Sequence, residues 1–217
     1  MTDSEKKLRA QRVVEELEKL YSDALCALEY NREKPYELLI SCRLSAQCKD
    51  SRVNVVTKEL FRKYTSLEDF AEADVADIAA IIKPCGLFNT KAQSIKDMSS
   101  ELLSRFDGRL PDTIEELVTL SGVGRKSANL ILGDIYGKPA IVADTHLIRI
   151  SNRLGLCEKK DPVDVEKTLK GLIPPEKSSD FCHRVVMFGR DCCSARGPKC
   201  SECPLKRNIE GLCCVMS

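Results

Sequence analysis

The sequence predicts an all-α fold, and three observations predict it. Apolar residues recur at helical period along most of the 217-residue chain. No run alternates apolar and polar residues for long enough to argue a sheet. Capping patterns and breaks at glycine or proline divide the periodic runs, with short connections and no low-complexity linker or internal repeat. The length suits one large domain or two small ones.

Residues 5–28 carry Leu8, Val13, Val14, Leu17, Leu20 and Leu25 close to helical spacing and predict the first helix. Pro35-Tyr36-Glu37 opens a second, with proline suited to a first turn. Between Thr65 and Ile82, Ser66-Leu67-Glu68-Asp69 reads as an N-terminal cap followed by short periodic runs. Thr113-Ile114-Glu115-Glu116 has the capping-box pattern, and the helix it opens stops near Ser121-Gly122. Gly122-Val123-Gly124 is then a tight turn whose glycines take backbone angles closed to other residues. The following helix has Ala128, Ile131, Leu132 and Ile135 on one face and ends at Gly137-Lys138-Pro139. Another starts at Asp144 or Thr145, with Leu147, Ile150 and Leu154 at compatible spacing.

Composition narrows the class. No stretch approaches the roughly 18 apolar residues of a membrane span. The N-terminus is highly charged and has no apolar signal core, so the expected location is intracellular, in the cytoplasm. Twelve cysteines in a reducing compartment are thiols or metal ligands. Cys26, Cys42, Cys48, Cys85, Cys157 and Cys182 are scattered singly and read as small apolar fillers. Six more fall within Cys192–Cys214, a density that needs another explanation.

The net charge of +1 does not advertise a polyanion binder, but its distribution is uneven. Eleven acidic residues stand against five basic ones between Thr65 and Leu120, whereas Arg125, Lys126, Lys138, Arg149 and Arg153 stand against two acids between Ser121 and Arg153. A neutral protein can still present one basic face to phosphates, and ordinary surface scatter gives the same count.

Helix, Gly-Val-Gly, helix is a helix–hairpin–helix pattern. Amides at the start of the second helix lack intrahelical partners, so a phosphate there gains hydrogen bonds and a favourable dipole. A plain helical hairpin fits the same residues. Lys126 follows the turn directly; positive potential at a helix N-terminus favours a neutral, nucleophilic amine, although most helical lysines are simply solvated. Asp144 reads as a helix N-cap. Cys193-x6-Cys200-x2-Cys203, followed by Cys213 and Cys214, has spacing at which thiolates bind zinc or an iron–sulfur cluster.

The segment LSGVGRKSANLILGDIYGKPAIVADTHLIRISNRLGL resembles the hairpin region of the endonuclease III family of DNA glycosylases and abasic-site lyases. The likeness continues through LLISCRLSAQCKDSRVN and CGLFNTKAQSI upstream and DFCHRVVMFGRDCCSARGPKCSECP downstream, from about Pro35 to the end. GVGRK together with the DTH motif is far more specific than either alone. The resemblance implies that Lys126 is the nucleophile and Asp144 its carboxylate partner. Gly122, Val123, Gly124 and Arg125 are then DNA-binding, and Gln47 and Leu87 enter the duplex where the damaged nucleotide leaves it. It also implies two helical lobes with DNA between them: a six-helix lobe over 31–137 containing the hairpin, and a second lobe of 1–30 plus 138–217 carrying a [4Fe–4S] cluster loop.

The family spacing around that cluster is C-x6-C-x2-C-x5-C. Here the last gap is nine residues, and the x5 position is Ile209. An insertion near Lys206–Asn208 accounts for this, making Cys193, Cys200, Cys203 and Cys213 the implied ligands, with Cys214 as the alternative to Cys213. The implied substrate is double-stranded DNA bearing oxidised pyrimidines or abasic sites, acted on by a monomer at the nucleoid. The rival readings are a glycosylase of the same superfamily with another base preference, and a non-enzymatic hairpin module held by structural zinc.

Overall fold

The computed structural model describes residues 2–209 and 211. Among them the chain forms twelve α-helices and no strand. They are α1 (Asp3–Leu20), α2 (Tyr36–Ser45), α3 (Asp50–Lys63), α4 (Leu67–Glu72), α5 (Val75–Ile82), α6 (Phe88–Phe106), α7 (Ile114–Leu117), α8 (Arg125–Asp134), α9 (Thr145–Arg153), α10 (Pro162–Lys170), α11 (Ser178–Asp191) and α12 (Pro204–Asn208). None is long and apolar enough to cross a membrane. The chain divides into two compact units, Cys26–Tyr136 and Met1–Leu25 with Gly137–Ser217.

In the unit Cys26–Tyr136, α6 is the longest helix and packs against α4 and α5. α2 is buried on nearly every side, through Leu38, Leu39, Ile40, Cys42 and Leu44. This explains why its sequence reads as apolar without a clear stripe. Ser66 and Asp69 form a reciprocal capping box at the start of α4. The short periodic runs up to Ile82 form two helices, because the Asp74 side chain caps a separate α5 by accepting from the Ala76 amide at 2.9 Å. α6 ends in a left-handed Asp107, and the Gly108 amide returns to the Leu102 carbonyl at 3.0 Å.

In the other unit, α1 and α9 both pack on α11. A Cβ at Gly189 would stand 2.5 Å from His146 Nδ1 and 2.9 Å from Ile150 Cδ1, so glycine is what lets α9 and α11 approach this closely. Lys177 pairs with Glu18 at 2.7 Å, and Arg184 donates to the Tyr21 carbonyl at 3.4 Å. The first helix corrects the sequence-based bounds. A Thr2–Glu5 capping box starts it at Asp3, and it stops at Leu20 rather than near residue 28. Tyr21 leaves helical geometry at φ −136° and ψ 57°, and its amide makes the last helical bond, to the Leu17 carbonyl at 2.9 Å. Leu8, Leu20 and Leu25 are accordingly exposed, while Val13, Val14 and Leu17 carry the packing.

Candidate active site

The hairpin is built from α7, which ends at Leu117 rather than near Ser121, a seven-residue connection over 118–124, and α8. Thr113 accepts from the Glu116 amide at 3.3 Å and sets the start of α7. Glu101 on α6 then holds the turn from beneath: its carboxylate accepts from the Ser121 amide and hydroxyl, both at 2.7 Å. Gly122 has φ +75°, and a Cβ there would lie 2.7 Å from Arg43 Nε and 2.9 Å from Ser94 Cβ. Only glycine satisfies both the angle and the space. Gly124 departs from expectation. Its φ of −101° is open to any residue, and a Cβ there would meet nothing within 4 Å. What Gly124 leaves is clear room beside the start of α8.

That start carries no side-chain cap. The first amide to find a helical carbonyl is that of Ala128, which donates to Gly124 at 3.0 Å. The preceding amides therefore sit at the positive end of the helix with exposed surroundings, a ready site for a phosphate oxygen. Arg125 and Lys126 are the first two residues of α8, and both are exposed. Ala128, Asn129, Ile131 and Leu132 are buried on the opposite face, which fixes the rotation that turns Lys126 outward.

Asp144 lies at the N-cap of α9 in the other unit. Its Oδ1 accepts from the Leu147 amide at 2.7 Å, and its own amide donates to Val142 at 2.8 Å. The extended stretch before it is pinned to α11: the Ala140 amide donates to Ser178 Oγ at 3.0 Å and the Val142 amide to Cys182 Sγ at 3.3 Å. The carboxylate is thus presented from a fixed backbone.

Gln47 and Leu87 both adopt left-handed backbone, at φ 57° and 49°, and both are exposed. Neither conformation was readable from residue type, since only glycine and asparagine-like residues advertise it.

Cys192, Cys193, Cys200 and Cys203 line one cavity, walled on its apolar side by Leu154 and Phe188. The Cys192 thiol is pushed up to about 12 by burial and by the neighbouring Cys203, with which it hydrogen-bonds. No three His, Cys, Asp or Glu side chains among the described residues stand together as metal ligands in this geometry. The donor set is nonetheless soft and thiol-rich. Arg153 donates to Cys193 Sγ at 3.3 Å and to the Ser194 carbonyl at 2.7 Å, and Arg149 to the Cys193 carbonyl at 3.1 Å. Guanidinium groups of this kind offset the charge of clustered thiolates and suit an iron–sulfur group. Arg149 and Arg153, counted from sequence toward a phosphate-binding face, are therefore occupied in holding the cysteine loop. Cys192 lines the cavity as well, although only Cys193 has the x6 spacing to Cys200. Cys213 and Cys214 lie outside the described residues.

A family model described as HhH-GPD superfamily base excision DNA repair protein matches residues 40–175. The endonuclease III of Bacillus subtilis is 42% identical over 202 residues, covering 89% of this chain and 91% of its own. That of Synechocystis is 41% identical over 201 residues, covering 92% and 91%. Among solved structures, a trapped endonuclease III–DNA covalent intermediate superposes with a TM-score of 0.89 at 39% identity, over 98% of this chain and 96% of that one. On that extent of sequence and fold, the chain belongs to the endonuclease III family of the HhH-GPD superfamily of base excision DNA repair proteins.

Proposed function

We propose that the chain is a bifunctional DNA glycosylase and abasic-site lyase that removes oxidised pyrimidines from nucleoid DNA, with Lys126 as nucleophile and Asp144 as its partner. The observation that carries this reading is an exposed lysine at the second position of an uncapped helix, in a chain that superposes on an endonuclease III trapped covalently on DNA. Phosphates seat on the amides of Gly124 and its successors. The damaged nucleotide leaves the stack, at least cost where its pairing is already weak, while Gln47 and Leu87 enter the duplex in its place. Lys126 Nζ attacks C1′ as the C1′–N bond breaks, and the base departs with the electron pair. The carboxylate of Asp144 accepts the lysine proton or stabilises the sugar cation. Loss of a second nitrogen proton lets the nitrogen lone pair form the C1′=N bond of a protonated Schiff base as C1′–O4′ breaks and O4′ takes up a proton. Removal of a C2′ proton then expels the 3′ phosphate by β-elimination.

Borohydride tests this directly. It reduces the imine, so wild-type protein incubated with a duplex bearing one abasic site or one thymine glycol should form a stable protein–DNA adduct. An absence of adduct on both duplexes, with DNA bound, would leave the chain a binding module.

Phosphate binding has its own signature. The logarithm of affinity should fall linearly with the logarithm of salt, and Arg125→Ala should flatten that slope by about one unit. The loss should be uniform across sequences. An unchanged slope removes that residue from the phosphate face.

Cys193, Cys200, Cys203 and Cys213 would hold a [4Fe–4S] cluster, whose contribution here is to tie together a C-terminal loop too short for its own core. Cys213→Ala should bleach the visible absorbance and lower the unfolding temperature, whereas Cys214→Ala should retain about four irons per chain. The reverse pattern reassigns the ligand, and zinc in the wild type overturns the cluster.

A further inference from the structure

Lys91 is a lysine with no exposed surface, on the first turn of α6. Its Nζ donates to two carbonyls, Leu44 and Cys85, each at 2.8 Å. Burial holds its amine below the ordinary lysine range, and the side chains acting on it electrostatically are the Cys85 and Cys48 thiols and the Arg43 guanidinium. A charged group is seldom fully buried unless hydrogen bonds offset its desolvation, and here two backbone carbonyls do so.

The two carbonyls are informative by position. Leu44 precedes left-handed Gln47 by three residues, and Cys85 precedes left-handed Leu87 by two. At the end of α2 the Cys48 amide, which would continue the helix by donating to Leu44, turns instead to Ser45 at 3.0 Å. At the start of α6, Gly86 and Leu87 are both at positive φ, and the Lys91 amide donates to the Leu87 carbonyl at 3.0 Å. Gln47, Leu87 and Asp107 are the non-glycine residues at positive φ among those described. Two of the three are thus flanked by the same ammonium. Left-handed backbone at a residue with a Cβ persists only where its surroundings over-determine it. An ammonium with three rotatable donors on a flexible stem reaches two carbonyls from different segments, which an apolar side chain of the same length cannot do.

We propose that Lys91 is the positioning residue of the duplex-entering edge, its buried ammonium clamping the segments of Gln47 and Leu87 so that both strained residues hold their conformations before DNA arrives. This rests on the reading above, in which Gln47 and Leu87 fill the space vacated by the extruded nucleotide. Lys91 itself touches neither substrate nor reacting atoms.

The test separates positioning from chemistry. Lys91→Met keeps the stem and removes the donors. Single-turnover cleavage of a fully paired thymine glycol duplex should fall roughly ten- to a hundredfold, since small misplacements of positioning groups cost that much. Borohydride trapping on an abasic site within an unpaired bubble, where nothing must be displaced, should stay within about twofold by the same reasoning. In a Leu87→Ala, Gln47→Ala background, Lys91→Met should add little on the paired duplex, because the groups act as one unit. Equal losses on paired and bubble substrates, or a fully additive cycle, overturn the proposal. If Lys91→Met does not fold, as judged by thermal unfolding, Lys91→Gln keeps a polar tip but is one atom shorter and planar, so it cannot hold both carbonyls at once and carries the same comparison. A wild-type protein that traps on neither substrate would instead refute the glycosylase–lyase reading on which the assignment stands.

Discussion

Lys126→Gln should abolish borohydride trapping and strand cleavage while leaving DNA binding intact. An amide cannot form an imine, so covalent catalysis is removed outright rather than slowed. The residual rate should lie at least about a thousandfold below wild type, what remains coming from binding and electrostatics alone. Because Lys126 is exposed at the second position of α8, the substitution removes no packing, and stability should stay within about 0.5 kcal/mol. Affinity for abasic DNA should change little, since on the proposed reading the amides after Gly124, rather than the amine, receive the phosphate. The comparison is a gel of adduct against time beside a binding isotherm for each protein. Full trapping by the Gln variant would move the nucleophile elsewhere, and a parallel loss of binding would make Lys126 a phosphate contact.

Much of this architecture was legible because local chemistry and global fold agree. Ser66, Thr113 and Asp144 read as N-caps from residue type and position, and each accepts the expected amide. Gly122 read as a residue needing positive φ, and it has one. The failures are equally physical. The first helix was drawn too long because Leu20 and Leu25 continue an apolar period that tertiary packing does not use. Lys91 could not be found from sequence, since a lysine in a helix is ordinarily solvated and one of the two carbonyls that bury it, that of Leu44, lies 47 residues away in the chain. Arg153 contributed to a basic count from sequence but is directed to the cysteine loop, an orientation that depends on where α9 meets the residues after α11.

The same distinction decides Asp144, whose two roles the sequence could not separate. As a cap, it needs only an acceptor for the Leu147 amide, and the 2.7 Å bond uses Oδ1. Asparagine supplies the same acceptor and ranks beside aspartate at this position, so Asp144→Asn should unfold within about 0.5 kcal/mol of wild type. Asp144→Ala lacks the acceptor and should cost about 1 kcal/mol, which calibrates the cap. Catalysis makes a different demand. Accepting a proton from the lysine, or standing beside a developing sugar cation, requires the negative charge that asparagine lacks. Single-turnover base release by Asp144→Asn should therefore fall roughly a hundred- to ten-thousandfold, the usual worth of a positioned proton acceptor. Rapid quench on a thymine glycol duplex measures that rate, and thermal unfolding measures the cap. An Asn variant that is both stable and fast would reduce Asp144 to the cap alone, and leave Lys126 to be deprotonated by another group.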